Sequence, residues 1–211
     1  METGTPNIFE RPYLYAQDLF VPDKGTKIKV IECVDGQLIT KCFTTEPKVE
    51  NGGIVSDLDR DILKMVVVNR YQPYTPAVAF IKGFGLKKGA LASSVAHDSH
   101  NLVAVGVTDK DILHAVNLLI EHTGGVTAYC STEMLAVPLP VAGLMSNEDG
   151  YAVAAAYQNA DALAKRLGST LYAPFMTLAF MALLVIPELK LSDRGLFDVN
   201  TFGFTSIYED L

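Results

Sequence analysis

Two histidines lie three positions apart in the stretch SSVAHDSHN, residues 93–101. An imidazole titrates near neutral pH and can transfer a proton or bind a metal ion. His97 and His100 are therefore candidate catalytic residues and candidate metal ligands. Asp98, between them, is a candidate catalytic residue that would orient an imidazole and fix its tautomer.

The two imidazoles face a common cavity only if the chain turns between them. Residues three apart on a strand point to opposite faces, but Asp98 and Ser99 are residues that favour turns. Turns at strand ends are where α/β proteins often hold their catalytic groups. A structural alternative is that Ser93, Ser94, Asp98 and Asn101 satisfy buried backbone amides, with the histidines as donors. The residue types favour neither alternative over the other.

Three glycines precede this loop in the segment GFGLKKGALASSVA, residues 83–96. Such spacing is typical of tight turns or of a backbone that approaches a ligand closely. The segment matches neither the dinucleotide-binding GxGxxG pattern nor a Walker A loop. We expect five candidate substrate-binding residues here and in the polar loop: Lys82, Gly83, Gly85, Ser94 and Asn101. For the first three, the end of a strand followed by a turn is the simpler explanation.

The remaining histidines, His114 and His122, fall on a predicted helix. His114 points away from the apolar stripe of that helix and is expected at the surface. His122 lies in the last turn, where the helix dipole favours a cation. We expect both to have structural rather than functional roles.

Composition and charge argue against several classes of function. The net charge of −7 and the lack of a basic stripe disfavour a nucleic-acid partner. Three cysteines without a CxxC pair disfavour a disulfide framework and favour a reducing, cytoplasmic setting. The N-terminus lacks the apolar core of a secretion signal. The most apolar run, residues 173–186, is shorter than the roughly 20 residues that span a membrane, so we expect a buried helix or strand there and no membrane contact.

Alternating apolar and polar residues predict several strands. The runs 27–34 and 37–43 are joined by Asp35-Gly36, a pair typical of β-hairpin turns. Residues 44–53 are expected to form a loop. Further strands are predicted over 61–69, 77–83, 126–130 and 133–139.

Two helices are predicted from capping boxes followed by apolar stripes. The first begins after Thr108, with Asp111 three residues later. The second begins after Ser146, with Asp149 three residues later, and ends at Gly168.

The order of these elements predicts the fold class. A mixed β-sheet with packed helices is expected, of α/β class with α+β as the alternative. One compact domain is expected over residues 12–211, after an N-terminal arm of residues 1–11. The βα units are too few for a TIM barrel.

Four long segments of the chain resemble the C-terminal domain of bacterial adenine deaminases. They cover the polar loop, part of the first helix, a proline-containing turn, and the apolar run with the residues after it. The segments are IKGFGLKKGALASSVAHDSHNLVAVG (81–106), AVNLLIEHTGG (115–125), VPLPVAGLMS (137–146) and PFMTLAFMALLVIPELKLSDRGLFDV (174–199). The opening strands, KIKVIECVDGQLITK, resemble that domain more loosely.

The resemblance implies a reaction and a part of the enzyme that this chain lacks. Adenine deaminases hydrolyse adenine to hypoxanthine and ammonia, and in that family a (β/α)₈ barrel similar to amidohydrolases precedes this domain. The barrel holds a divalent metal pair, typically Mn, Fe or Zn, which activates the attacking water. This chain has no H-x-H pair of the kind such a barrel uses. We therefore expect an adenine deaminase C-terminal domain without its catalytic barrel, with the metal implied mainly through that barrel and no cofactor certain for this chain.

Three functions remain open from the sequence. In the first, the chain completes or covers the active site of an amidohydrolase barrel, or assembles as a homo-oligomer, and supplies His97, Asp98 or His100. In the second, it is a free-standing, small metal-dependent hydrolase of a purine-like substrate that uses the same loop. In the third, it is a nucleobase-binding module whose pocket is formed by residues 83–89 and the polar loop.

Overall fold

The computed structural model describes residues 6–209. The strands of this range are β1 Ile28–Cys33, β2 Thr40–Thr45, β3 Lys48–Glu50, β4 Gly53–Val55, β5 Ile62–Val68, β6 Ala77–Lys82, β7 Ala90–Ser93, β8 Leu102–Gly106, β9 Gly125–Cys130, β10 Glu133–Pro138, β11 Leu189–Ser192, β12 Gly195–Asp198 and β13 Gly203–Phe204. The helices are α1 Asp109–Glu121, α2 Gly150–Arg166 and α3 Pro174–Phe180, and a short 3₁₀ helix covers Ala16–Leu19.

Eight strands form one mixed sheet in the order β10-β9-β7-β8-β5-β6-β1-β2. Neighbouring strands are antiparallel except β1 and β6, which run parallel. The predicted hairpin of β1 and β2 is confirmed. The prediction of a loop over residues 44–53 is wrong in part, because β3 and β4 pair there as a short hairpin. Strands of three residues are too short to show an alternating pattern.

The fold confirms a mixed sheet with packed helices in a single domain. Of the two classes left open by the sequence, α+β describes it, because the sheet is mostly antiparallel rather than built from parallel βαβ units. Within the described residues the sheet does not close into a barrel. A second, three-stranded antiparallel sheet, β11-β12-β13, lies near the C-terminus.

The central strand β5 is buried along its whole length. Its side chains alternate between two cores, as the two-residue period of a strand requires. Val66 and Val68 pack with α1 on one face of the sheet. Met65 and Val67 pack with α2 and α3 on the other.

The observed starts of α1 and α2 confirm one of the two predicted N-caps and contradict the other. Helix α1 begins as predicted, since the Thr108 hydroxyl accepts the backbone N–H of Asp111 at 3.1 Å. Helix α2 begins after Asp149, whose carboxylate accepts two backbone N–H groups of the first turn. The cap predicted at Ser146 is wrong, because its hydroxyl accepts the N–H of Glu148 in the preceding turn.

The apolar run 173–186 forms the buried helix α3 followed by turns, as the sequence predicted. Between residues 6 and 209, every helix is too short or too polar to cross a membrane.

Part of the predicted N-terminal arm lies outside the described residues, which begin at Pro6. The rest of it packs along the domain. The N–H of Glu10 donates to the carbonyl of Arg70 at 2.9 Å, and the N–H of Ala142 donates to the carbonyl of Pro6 at 2.7 Å.

Candidate functional site

His97 and His100 lie in the loop that joins β7 to β8, and the chain turns between them. The backbone N–H of His100 donates to the carbonyl of Ala96 at 2.7 Å, which closes the turn. The two ring centroids are 5.7 Å apart and the ring planes are inclined by 57°. The structure therefore brings the two imidazoles together at one end of the sheet.

Each imidazole has a buried nitrogen that the fold leaves free. The ring of His97 stacks on Phe180 with a centroid separation of 5.1 Å. The Nδ1 atoms of His97 and His100 are both buried and have no hydrogen-bond partner within residues 6–209. Asp98 is exposed and does not bond either Nδ1 atom. The orienting contact predicted for Asp98 is thus not made at these nitrogens.

The surroundings of His100 favour its neutral form. Burial lowers the pKa of His100 below its ordinary value, and the neighbouring His97 and Arg70 lower it further. The nearby carboxylate of Asp98 opposes this shift. A neutral imidazole is the form that can accept a proton, so His100 is suited to act as a base.

Arg70 belongs to the same cluster and was not predicted from the sequence. It directly follows β5 and Asn69, and its side chain is 4% exposed. Its Nη2 donates to the hydroxyl of Tyr71 at 2.9 Å, and that hydroxyl donates to the carbonyl of Ser99 at 3.0 Å. The available signal was an arginine that closely follows the apolar end of β5, Met65 to Val68, because such a run lies in the interior.

Ser94 and Asn101 satisfy backbone groups, as the structural alternative expected. The buried Ser94 hydroxyl accepts the N–H of Gly125 at 2.7 Å and donates to the carbonyl of Gly143 at 2.5 Å. The Asn101 side chain accepts the N–H of Arg70 at 3.4 Å. These two predicted substrate-binding residues lie beside the histidines, but their hydrogen bonds stabilise the loop.

Lys82, Gly83 and Gly85 lie at the opposite end of the sheet. Lys82 pairs with Ile62 at the start of β5, whereas the histidine loop adjoins Val68 at its end. Six residue steps along a strand correspond to about 20 Å. The prediction that the glycine-rich segment and the polar loop form one pocket is therefore wrong.

The two glycines have structural partners at their own end of the sheet. The N–H groups of Gly83 and Gly85 donate to the carboxylate of Asp61 at 3.0 and 2.8 Å. Both glycines have positive φ angles, 105° and 72°, which L side chains rarely adopt. A β-carbon at Gly83 would lie 2.8 Å from the Cys33 Sγ atom. These contacts account for the glycines as a turn after β6.

The residues of the described chain do not by themselves fit a metal site. Within that range no group of three or more His, Cys, Asp and Glu side chains is placed to hold a metal ion. Catalytic zinc sites use three protein ligands, and the His97–His100 pair supplies two at most. A metal bound to this pair needs further ligands from outside residues 6–209.

Two grooves flank the histidine loop. One, of about 520 Å³, lies between the first half of α2 and α3, is almost wholly apolar, and reaches the loop at Ser93 and Val95. The other, of about 430 Å³, is bordered by Asp98 and Ser99 on one side and by Arg194 of the β11–β12 hairpin on the other. The loop therefore separates an apolar surface from a mixed one.

Comparison with known proteins gives the family. The model of the adenine deaminase C-terminal domain matches residues 37–203. The chain is 51% identical to an adenine deaminase of Methanosarcina acetivorans over 97% of this chain and 39% of the relative. It is 50% identical to that of Methanosarcina barkeri (96% of this chain, 38% of the relative) and 46% identical to that of Parabacteroides distasonis (96% and 37%). The chain thus spans less than two fifths of the length of these relatives, and it belongs to the adenine deaminase family as the family's C-terminal domain.

Proposed function

We propose that this chain serves the hydrolysis of adenine to hypoxanthine and ammonia as the domain that completes or covers the active site. The relatives are named adenine deaminases, and most of their length lies outside the matched region. The metal and its ligands would belong to that additional part, since the residues described here do not form a three-ligand group.

The observation that carries the proposal is the pair of converging imidazoles with unpartnered Nδ1 atoms. Replacing the amino group of adenine by oxygen moves both protons of water, one to the departing nitrogen and one to the purine ring. A positioned imidazole can carry one of these protons and accelerate the step by about 10²–10⁴-fold. His97 and His100 are the groups we propose for this transfer, with Asp98 beside them.

The path of the N-terminal segment supports the proposal that the histidine loop faces the preceding domain. The matched family is a C-terminal domain, so the additional length of the relatives precedes it. Residues 6–11 bond to Arg70 and Ala142, at the end of the sheet that carries the histidines. A preceding domain that continues from this segment would lie nearest to that end.

The test is a chimera in which this chain replaces the C-terminal domain of the Methanosarcina acetivorans enzyme. Hypoxanthine formation from adenine is measured for the unsubstituted chimera and for its His97→Gln, His100→Gln and His114→Gln forms. We expect the first two substitutions to lower turnover at least 100-fold. His114→Gln, at an exposed position of α1, is the matched control and should retain activity. Equal turnover of all four proteins, or an inactive unsubstituted chimera, contradicts the proposal.

A nucleobase-binding module without chemistry is the alternative, and the same loop would serve it. Adenine would then raise the unfolding temperature of this chain alone while no hypoxanthine forms. A free-standing metal-dependent hydrolase is less well supported, because the histidine pair lacks a third ligand within the described residues.

A further inference from the structure

Arg70 is a buried cation whose charge the fold does not neutralise. Its side chain is 4% exposed, yet its Nε and Nη1 atoms have no hydrogen-bond acceptor in the described part of the chain. The ion pairs found within residues 6–209 do not include it. An unpaired buried charge is strongly destabilising, so buried guanidinium groups normally contact a carboxylate or another anion.

The guanidinium is held in a fixed position. Its Cζ atom lies over the Tyr71 ring, 4.8 Å from the ring centroid, and Nη2 donates to the Tyr71 hydroxyl. On the other side, Gly143 has a φ of 70° and a β-carbon there would overlap Nη1. The absence of a side chain at Gly143 therefore leaves the space that the guanidinium occupies.

The unpartnered nitrogens are concentrated at this one end of the sheet. Within residues 6–209, five buried side-chain nitrogens have no partner. Four of them lie in this cluster: Arg70 Nε, Arg70 Nη1, His97 Nδ1 and His100 Nδ1. The fifth is the Nε of Arg11. The neighbouring polar side chains do not bond these nitrogens: the Ser94 hydroxyl bonds Gly125 and Gly143, and the Asn101 amide oxygen accepts the backbone N–H of Arg70. Asp98 is exposed, and none of these four nitrogens bonds its carboxylate.

We propose that Arg70, with His97 and His100, forms a binding site for a carboxylate. A guanidinium can donate two parallel hydrogen bonds to the two oxygens of a carboxylate, and an imidazole N–H can donate a third. The ligand differs from adenine and hypoxanthine, which are uncharged at neutral pH, so the inference goes beyond the proposed reaction. The carboxylate comes either from a small organic acid or from an acidic side chain of the domain that precedes this one in the relatives.

The first experiment uses the wild-type chain and sodium acetate as the probe, with sodium chloride at equal ionic strength as the reference. The Nε–H signal of Arg70 in a proton–nitrogen correlation spectrum should shift and saturate with acetate but not with chloride. The unfolding temperature should rise with acetate over the same range. Arg70→Gln should lower the acetate affinity at least tenfold. Arg60→Gln, which alters an exposed arginine paired with Asp57, is the control and should leave it unchanged.

The chimera with the Methanosarcina acetivorans domain distinguishes the two sources. An Arg70 signal already at the acetate-bound position, and insensitive to added acetate, identifies a side chain of the preceding domain. A signal that still responds to acetate identifies a free carboxylate. If the Arg70 signal responds to acetate in neither protein, the carboxylate site is overturned. The same holds if Arg70→Gln and Arg60→Gln lower the acetate affinity equally. If the isolated chain does not respond to acetate and the Arg70 signal of an active chimera is not at the acetate-bound position, this inference alone is overturned and the proposed reaction stands.

Discussion

At the scale of single residues, Lys190 shows how burial alters a charged group. Its side chain is fully buried in β11, and its ammonium donates to the carbonyls of Leu38 at 2.6 Å and Phe180 at 3.2 Å. Burial lowers the pKa of Lys190 from 10.5 to about 8. Below pH 8 both the folded and unfolded states carry the proton, so the cost of burying the charge is then present in full.

The lowered pKa of Lys190 predicts how the free energy of unfolding depends on pH. Between pH 8 and 10.5 the unfolded state binds the proton and the folded state releases it, so the free energy of unfolding should rise with pH, by at most about 1.4 kcal/mol per pH unit. Urea unfolding of wild type and Lys190→Met at pH 7.5, 8.5 and 9.5 measures this. Comparing the two proteins removes the opposite effect of the Cys33 thiol, whose pKa burial raises to about 12. Parallel pH profiles of the two proteins would show that Lys190 does not titrate in this range.

Residue types alone located the histidine loop but not its chemistry. A turn at Asp98 and Ser99 could be predicted because both residues favour turns. The part played by Arg70 could not, since Asn101 and Gly143, which lie against it, are distant from it in sequence. Single-residue patterns also could not show that the Ser94 hydroxyl bonds Gly125.

At the scale of elements, an ion pair between a buried lysine and a partly exposed aspartate connects the sheet to its first helix. Lys64 of β5 is 2% exposed and its ammonium lies 2.6 Å from the carboxylate of Asp109, the first residue of α1. The same ammonium donates to the carbonyl of Leu19 at 3.0 Å. The contact thus ties the central strand, α1 and the 3₁₀ helix together.

Asp109→Asn should destabilise the protein by about 1.5–3 kcal/mol, because it leaves the buried Lys64 ammonium without its counter-charge. Asp161→Asn removes a surface carboxylate that pairs with Lys165 one helical turn away in α2, and should cost less than about 1 kcal/mol. Urea unfolding at pH 7 compares the two variants. Equal decreases in the free energy of unfolding would mean that the Lys64–Asp109 pair behaves as an exposed ion pair.

The elements that sequence patterns predicted well are long and periodic. Helix α1 and strands β5 and β6 agree with their predicted ranges because their apolar residues repeat at helical or strand spacing. The short strands β3, β4, β7, β8 and β11 to β13 were not predicted, because their pairing depends on partners elsewhere in the chain rather than on their own composition.

At the scale of the whole molecule, sheet topology decides which polar segments can work together. The glycine-rich turn and the histidine loop lie only a few residues apart in sequence, yet β7 carries the chain from one end of the sheet to the other between them. Antiparallel pairing of β5 with β6 and β8 could not be derived from one sequence. The separation of these two segments therefore appears only in the structure.

We propose that the end of the sheet with Arg70 and the histidines faces the preceding domain of a complete adenine deaminase. Hydrogen–deuterium exchange of this chain, measured alone and within the Methanosarcina acetivorans chimera, locates that interface. We expect slower exchange in the chimera for residues 69–72 and 94–101, and unchanged exchange for residues 83–89. Slower exchange at 83–89 with no change at 94–101 would place the interface at the opposite end of the sheet and refute the proposal.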